Sequence, residues 1–245
     1  MKKFTPINWL EPKEIIVPQS NEVHIWFVDI DGIHVDTTNL KQYFSEIDIQ
    51  RFQSISTKDK KEKTIKRQYT LLKILSYYLH SEFNEISLGY AEYEKPYLSS
   101  DCNNKHLQFN TSNSYNFMMV GITVDNEIGV DIEKIRTTVD YEKLIKKFFS
   151  EKEKEVFFQM DEDKQEQTFF QWWTMKESVI KAIGLGMHLP IHSFVLPYQC
   201  STNKVHVKYK EHAKDYFLYN TVLSSDSKSS FSVEREIEKV EFFRL

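Results

Sequence analysis

The segment Trp172-Trp173-Thr174-Met175-Lys176-Glu177-Ser178-Val179-Ile180-Lys181-Ala182-Ile183 contains neither proline nor glycine, and Gly184 and Gly186 follow it. It reads as a helix that stops where glycine can take a left-handed cap with little strain. At 3.6 residues per turn Trp173, Glu177 and Lys181 fall on one face with Lys176 beside them, while Met175, Val179 and Ala182 form a second, packed face. As a solvated i,i+4 pair, Glu177 and Lys181 would contribute only a few tenths of a kcal/mol, roughly. Trp173, one turn upstream, favours a partly enclosed wall in which a carboxylate and an ammonium need a partner.

A second constellation is Gly129-Val130-Asp131-Ile132-Glu133. Apolar and acidic residues alternate, so a strand would set both carboxylates on one face, about 7 Å apart. Alone this pattern also describes a half-exposed strand with its acids in water. Glu177 adds a third carboxylate and the neighbouring lysines add phosphate-neutralising charge. Mg²⁺ takes a few carboxylates and completes its octahedron with water and phosphate oxygens, so these residues form a candidate phosphate-metal site.

Gly129-Val130-Asp131-Ile132-Glu133-Lys134, followed about forty residues later by Trp173-Thr174-Met175-Lys176-Glu177-Ser178-Val179-Ile180-Lys181, resembles the paired signature of the surfactin-synthetase-type 4′-phosphopantetheinyl transferases. The resemblance extends through Lys95-Pro96-Tyr97, Phe109-Asn110-Thr111-Ser112-Asn113-Ser114, Phe148-Phe149-Ser150 and Gly184-Leu185-Gly186-Met187-His188-Leu189-Pro190, in the family's order. It implies an α+β fold of two similar halves packed as a pseudo-dimer, each a small, mainly antiparallel sheet with helices, and a site in the cleft between them. Residues 1–120 would supply adenine and 3′-phosphate contacts to coenzyme A. Residues 121–245 would supply the Mg²⁺ and pyrophosphate site and dock the carrier.

The implied reaction moves the 4′-phosphopantetheine arm of coenzyme A to a serine hydroxyl of an apo acyl or peptidyl carrier protein, as in nonribosomal peptide biosynthesis, and releases adenosine 3′,5′-bisphosphate. By resemblance Asp131, Glu133 and Glu177 hold Mg²⁺, and Lys181 grips the pyrophosphate with help from Lys176. Glu177 is also the candidate base, a role that competes with metal binding. Coenzyme A contacts implied by the family fall on Lys66, Arg67, Lys95, Pro96, Ser112, Asn113, Asp131, Lys176 and Lys181. Asn113 stands where the family usually has histidine, and an amide donates a hydrogen bond without the charge that strengthens it. The same acids and lysines would also serve a Mg²⁺-dependent phosphohydrolase of coenzyme A or nucleotides, or a non-catalytic carrier-binding module.

The 245 residues are 40% hydrophobic and 14% aromatic, ample for a buried core. Thirty-two basic against 36 acidic residues, net −4, exclude a general affinity for nucleic acid. Cys102 and Cys200 make no CxxC and no disulfide framework, so both read as ordinary thiols in a reducing compartment. Pro6, Asn8 and Glu11 interrupt the stretch after Met1-Lys2-Lys3, and no run approaches the ~20 apolar residues of a membrane span. A cytoplasmic, monomeric, soluble protein is expected. His188 and His192 have zinc-like spacing, but Pro190 between them breaks a helical ligand pair.

Elsewhere the pattern predicts a strand over Val23–Ile30, a turn at Asp31-Gly32, and a helix capped by Asn39 with Leu40, Tyr43, Phe44 and Ile47 inward. It predicts one long helix from Lys58, capped by Thr57, to His80. Leu107–Asn110 reads as a strand ending in Thr111-Ser112-Asn113-Ser114, and Tyr115–Val124 with Ile128–Ile132 as a hairpin turning at Asp125-Asn126. Ser150 and Glu153 have capping-box spacing. Strands are expected over Ser193–Leu196, Lys204–Tyr209, Tyr216–Val222 and Val240–Phe243, with Ser224–Ser230 a polar loop. Phe148 and Phe149 with Lys143, Lys146 and Lys147 read either as an amphipathic helix or as an apolar patch with a basic rim for an acidic carrier.

Overall fold

The protein is described from a computed structural model that covers residues 3–4, 7–12, 15–197 and 203–245. Cys200 lies outside the described residues, and Cys102 is a free, partly buried thiol. The first half of the chain carries β1 (Lys3–Phe4), β2 (Trp9–Leu10), β3 (Glu22–Asp29), α1 (Glu46–Gln53), α2 (Lys58–Leu79), β4 (Leu88–Tyr90), β5 (Pro96–Leu98), β6 (Leu107–Ser114) and β7 (Phe117–Val124). The second carries β8 (Ile128–Lys134), α3 (Tyr141–Phe148), α4 (Glu151–Phe158), α5 (Glu162–Ile183), β9 (Lys204–Tyr209), β10 (His212–Thr221), β11 (Ser227–Val233) and β12 (Lys239–Arg244).

This is an α+β fold of two comparable halves, each a five-stranded sheet packed with one 22-residue helix. One sheet has the order β2-β12-β3-β7-β6; in the other, β1-β10-β11-β8 carries β9 on β10. The unbroken apolar run of β3 is the mark of a central strand covered on both faces. On one face Trp26 and Val28 join Ile65, Leu72, Leu75 and Tyr78 of α2; on the other Ile25 and Phe27 join Val130, Ile132 and Phe231 of the second sheet. The sheets therefore share a core between them, and each is backed by its own long helix. The two sheets also exchange strands: β12 lies between β2 and β3 in the first, and β1 pairs with β10 in the second. A division at residue 120 falls inside β7, because the sheets are not built from contiguous halves of the chain.

The long helices match their periodicity, and Gly184 closes α5 in the left-handed region at φ 80°. Several local expectations are corrected. Asn39 starts only a short 3-10 turn, Leu40–Gln42; a new helix, α1, begins after Ser45, whose side chain caps it, and leaves Ile47 exposed. Thr57 sits at the start of α2 without a side-chain cap bond. β6 runs on through Ser114 and makes the tight hairpin with β7, in which Ser114 pairs with Phe117. β7 and β8 form no hairpin: the chain passes from one sheet to the other between them. Ser193 ends a 3-10 turn, Ile191–Ser193, in place of the expected strand.

The predicted polar loop over Ser224–Ser230 is largely β11, with Ser227, Ser229, Ser230 and Ser232 buried. Helix α5 covers this strand, and its Thr174 and Ser178 hydroxyls meet Ser230 at 2.9 Å and Ser232 at 2.6 Å. Small hydroxyl residues let helix and sheet come close while satisfying one another's polar groups. Among the described residues no helix is long and apolar enough to cross a membrane.

Candidate active site

Gly129 sets where α5 lies. A Cβ there would be 2.0 Å from the Ser178 carbonyl oxygen and 2.2 Å from the Ala182 nitrogen, both helix backbone. Only a residue without a side chain lets α5 lie this close to β8. Two and four residues later on the same face of the strand, Asp131 and Glu133 therefore face the Trp173, Glu177 and Lys181 side of the helix. Gly129→Ala is expected to lower stability by about 1–3 kcal/mol through overpacking. Urea unfolding checks this, and an unchanged midpoint would show that the helix can shift freely.

Asp131 is buried, and its Oδ1 accepts from Lys181 Nζ at 2.6 Å and from Ser112 Oγ at 2.8 Å. Its Oδ2 is buried with no hydrogen-bond partner among the described residues. Glu133 Oε2 accepts from Ser114 Oγ at 2.8 Å and lies 3.6 Å from an Arg136 guanidinium nitrogen. Burial, then the Asp131 charge, raises the Glu133 carboxyl above its ordinary range, against Ser114, Arg136 and Lys181. Burial, followed by Asp131, pushes the Glu177 carboxyl up to about 7, with Lys181 opposing. Three acids thus crowd one region with one lysine among them, an arrangement that favours an added cation. Trp173 walls the same helix face and is braced edge-on by Phe148 at 5.9 Å between ring centres.

The expected site residues divide into two groups. Asp131, Glu133, Glu177, Lys181 and Ser112 are brought together. Lys176 is not with them: its side chain is 0% exposed, and Nζ binds Glu153 Oε2 at 2.9 Å, the Ile191 carbonyl at 3.0 Å and the Phe194 carbonyl at 2.5 Å. Its three hydrogens are spent inside the fold, which corrects its assignment to the pyrophosphate. Glu153 forms the capping box with Ser150 and also accepts from the Leu196 amide at 2.9 Å.

Lys95 donates to the Ala182 carbonyl at 2.8 Å and the Ile128 carbonyl at 3.2 Å, tying the end of α5 to the start of β8. Burial lowers its ammonium to about 8. With Pro96 it lines a cavity of about 330 Å³ against Phe109, Ala182 and Ile183. Asn113 is exposed and, by strand alternation, lies on the opposite face of β6 from Ser112. Arg67 reaches the turn that follows, donating to the Tyr115 carbonyl at 2.8 Å while its Nε is buried with no hydrogen-bond partner among the described residues. Lys66 pairs with Glu62 at 3.4 Å. Phe149 is 2% exposed in the core, so of the two phenylalanines only Phe148 borders the exposed Lys143, Lys146 and Lys147.

Sequence reasoning did not find the partnership of Ser112 with Asp131 or of Ser114 with Glu133. The available signal was the polar alternation Asn110, Ser112, Ser114 on a strand whose other face is apolar at Leu107 and Phe109.

Carboxylates beside a lysine are the donor types that a divalent cation and a phosphate ester take. The sequence profile of the 4′-phosphopantetheinyl transferase superfamily matches residues 127–231. The chain is 30% identical to 4′-phosphopantetheinyl transferase Sfp of Bacillus subtilis over 177 residues, 67% of this chain and 74% of that protein. It is 28% identical over 179 residues to 4′-phosphopantetheinyl transferase HetI of Nostoc sp., covering 73% and 76% respectively. A shorter match, 39% over 103 residues, joins it to 4′-phosphopantetheinyl transferase gsp of Aneurinibacillus migulanus, covering 42% and 40%. The chain belongs to the 4′-phosphopantetheinyl transferase superfamily.

Proposed function

We propose that this protein transfers the 4′-phosphopantetheine arm of coenzyme A to a serine hydroxyl of an apo acyl or peptidyl carrier protein, with Mg²⁺ bound at Asp131, Glu133 and Glu177. The observation that carries the metal is the buried Oδ2 of Asp131, without a hydrogen-bond partner among the described residues, beside two other acids whose carboxyls burial and the Asp131 charge raise above their ordinary range. Among the described residues no three His, Cys, Asp or Glu side chains already converge as a ready-made metal cluster. The residues fit the ion by charge and ligand type. A bound Mg²⁺ would neutralise charge developing on the pyrophosphate.

The protein's own groups account for the rest. Lys181 sits at the edge of the acid cluster with its side chain 29% exposed, placed to hold a pyrophosphate oxygen while remaining within reach of Asp131. Glu177, on the same helix face one turn before it, takes the proton of the attacking serine hydroxyl directly or through water. The serine oxygen bonds to the phosphorus of the pantetheine side, the pyrophosphate P–O bond breaks, and adenosine 3′,5′-bisphosphate leaves. Lys66, Arg67 and Asn113 would meet the 3′-phosphate, with Lys95 and Pro96 beside the adenine, so the first half of the chain reads the nucleotide and the second performs the transfer. Both walls come from one chain, which suits a monomer; the reading places it in the cytoplasm. Phe148 and its lysine rim, joined to Trp173, form the docking face for an acidic carrier.

Lys181→Ala is expected to weaken use of coenzyme A, raising its KM about tenfold or more, as loss of a charge-assisted phosphate contact does. Titration of activity against coenzyme A measures it, and an unchanged KM would remove the assignment. The decisive experiment is intact mass of apo-carrier proteins after incubation with this protein, coenzyme A and Mg²⁺, with EDTA as control. A Mg²⁺-dependent gain of one phosphopantetheine arm is expected. Consumption of coenzyme A with no mass gain would replace the reading with a phosphohydrolase; neither event would indicate a binding module.

A further inference from the structure

The joint between β6 and β8 has a property that the family match does not describe. The two strands belong to different sheets and share no backbone ladder. Three alternate side chains of β6 instead accept the alternate amides of β8. Val130 N–H donates to Asn110 Oδ1 at 2.9 Å, Ile132 N–H to Ser112 Oγ at 3.3 Å, and Lys134 N–H to Ser114 Oγ at 3.0 Å.

A serine hydroxyl has one hydrogen and two lone pairs. Ser112 Oγ receives the Ile132 amide and the Lys181 ammonium, the latter at 2.9 Å, so its own hydrogen can go only to the remaining neighbour, Asp131 Oδ1, at 2.8 Å. Ser114 Oγ receives the Lys134 amide and directs its hydrogen to Glu133 Oε2 at 2.8 Å. The β8 backbone thus fixes the direction of each hydroxyl, and each hydroxyl holds one oxygen of the carboxylate that β8 itself carries. For Asp131 this leaves the other oxygen, Oδ2, without a partner among the described residues.

We propose that Ser112 and Ser114 are positioning residues that orient Asp131 and Glu133 toward a divalent cation, so that the first sheet presets the metal site borne by the second. This rests on the reading of those carboxylates as metal ligands. Asn110 is the internal control, because it accepts a β8 amide in the same seam and, among the described residues, is hydrogen-bonded to no carboxylate.

The test is calorimetric titration of Mn²⁺ into the full chain, without coenzyme A or carrier, for wild type, Ser112→Ala, Ser114→Ala, Ser114→Thr and Asn110→Ala, with thermal melts of each. Each alanine variant at serine should bind Mn²⁺ roughly tenfold more weakly, as loss of a hydrogen bond to a metal ligand typically does. Ser114→Thr, which keeps the hydroxyl, and Asn110→Ala should titrate like wild type. Wild-type affinity in both serine-to-alanine variants overturns the proposal, and so does equal weakening in Asn110→Ala, which would assign the effect to the seam alone. If Ser112→Ala does not melt cooperatively, the Ser114→Ala and Ser114→Thr pair decides. Absence of Mn²⁺ binding by the wild type would instead overturn the underlying metal assignment, a result distinct from binding that the serines do not influence.

Discussion

Glu177→Gln is expected to lower carrier modification about 10²-fold or more, the lower range for a positioned general base, with a smaller change in the KM for coenzyme A. The substitution keeps the shape of the side chain and removes its capacity to ionise, so a loss in turnover reports the base and metal-ligand roles together. The pH profile supplies a second readout. Burial, then Asp131, holds the Glu177 carboxyl at about 7, and the free enzyme should lose activity as pH falls below that value and the base is protonated. Raising Mg²⁺ should move the acid limb to lower pH, since a cation favours the ionised carboxylate. The same shift bears on stability with the opposite sign. The folded chain binds more protons at Glu177 than the unfolded chain does, so this contribution is complete below the ordinary carboxyl range and is lost as pH rises through about 7. Near wild-type turnover in Glu177→Gln would remove both the base and the metal-ligand role.

The second large effect concerns stability. Glu153→Ala should destabilise the protein by about 3–5 kcal/mol, because removing one partner of a buried ion pair leaves the other charge uncompensated. Lys176 and Glu153 are both 0% exposed, and the rings of Phe194 and Phe149 lie 4.6 and 5.4 Å from the ammonium. Burial lowers the Lys176 ammonium, and Glu153 opposes that drop. In the variant the unfolded chain binds more protons than the folded one at this site, so stability should recover as pH rises toward the ordinary lysine range. Guanidinium unfolding at two pH values measures both. A midpoint shift no larger than that of a surface substitution, such as one at Lys152, would contradict the burial argument.

Residues whose environment is set locally were legible from the sequence. Lys58 to Leu79 and the stretch from Trp172 to the stop at Gly184 carry helical periodicity; the structure follows the first within a residue or two and the second at its C-terminal end, while α5 begins well upstream, at Glu162. Asp131, Glu133, Glu177 and Lys181 were found because alternation on a strand and period on a helix fix which side chains share a face. What escaped depends on distant partners. Ser224 to Ser230 look like a loop because their polarity is evident, while the burial of Ser229 and Ser230, the latter under α5, is not. Lys176 and Lys181 both read as charges near one helix face. Only the packing of Phe149, Phe194 and Glu153 around one of them shows that it is sealed inside. The β7–β8 hairpin was expected because nearby complementary strands usually pair, yet here the connection carries the chain from one sheet to the next.

The exchanged strands bear on how the molecule comes into being. Val240 lies beside Val23 in the first sheet, and Phe243 stacks on Trp26 at 4.7 Å between ring centres. During synthesis the segment from β3 to β7 therefore emerges with the slot between β2 and β3 still open. That sheet exposes backbone donors and acceptors until the ribosome has also made the whole second half. Neither half is a unit that can finish folding first. The two sheets consequently mature together, and under the proposed function a nascent chain offers coenzyme A no half-built site.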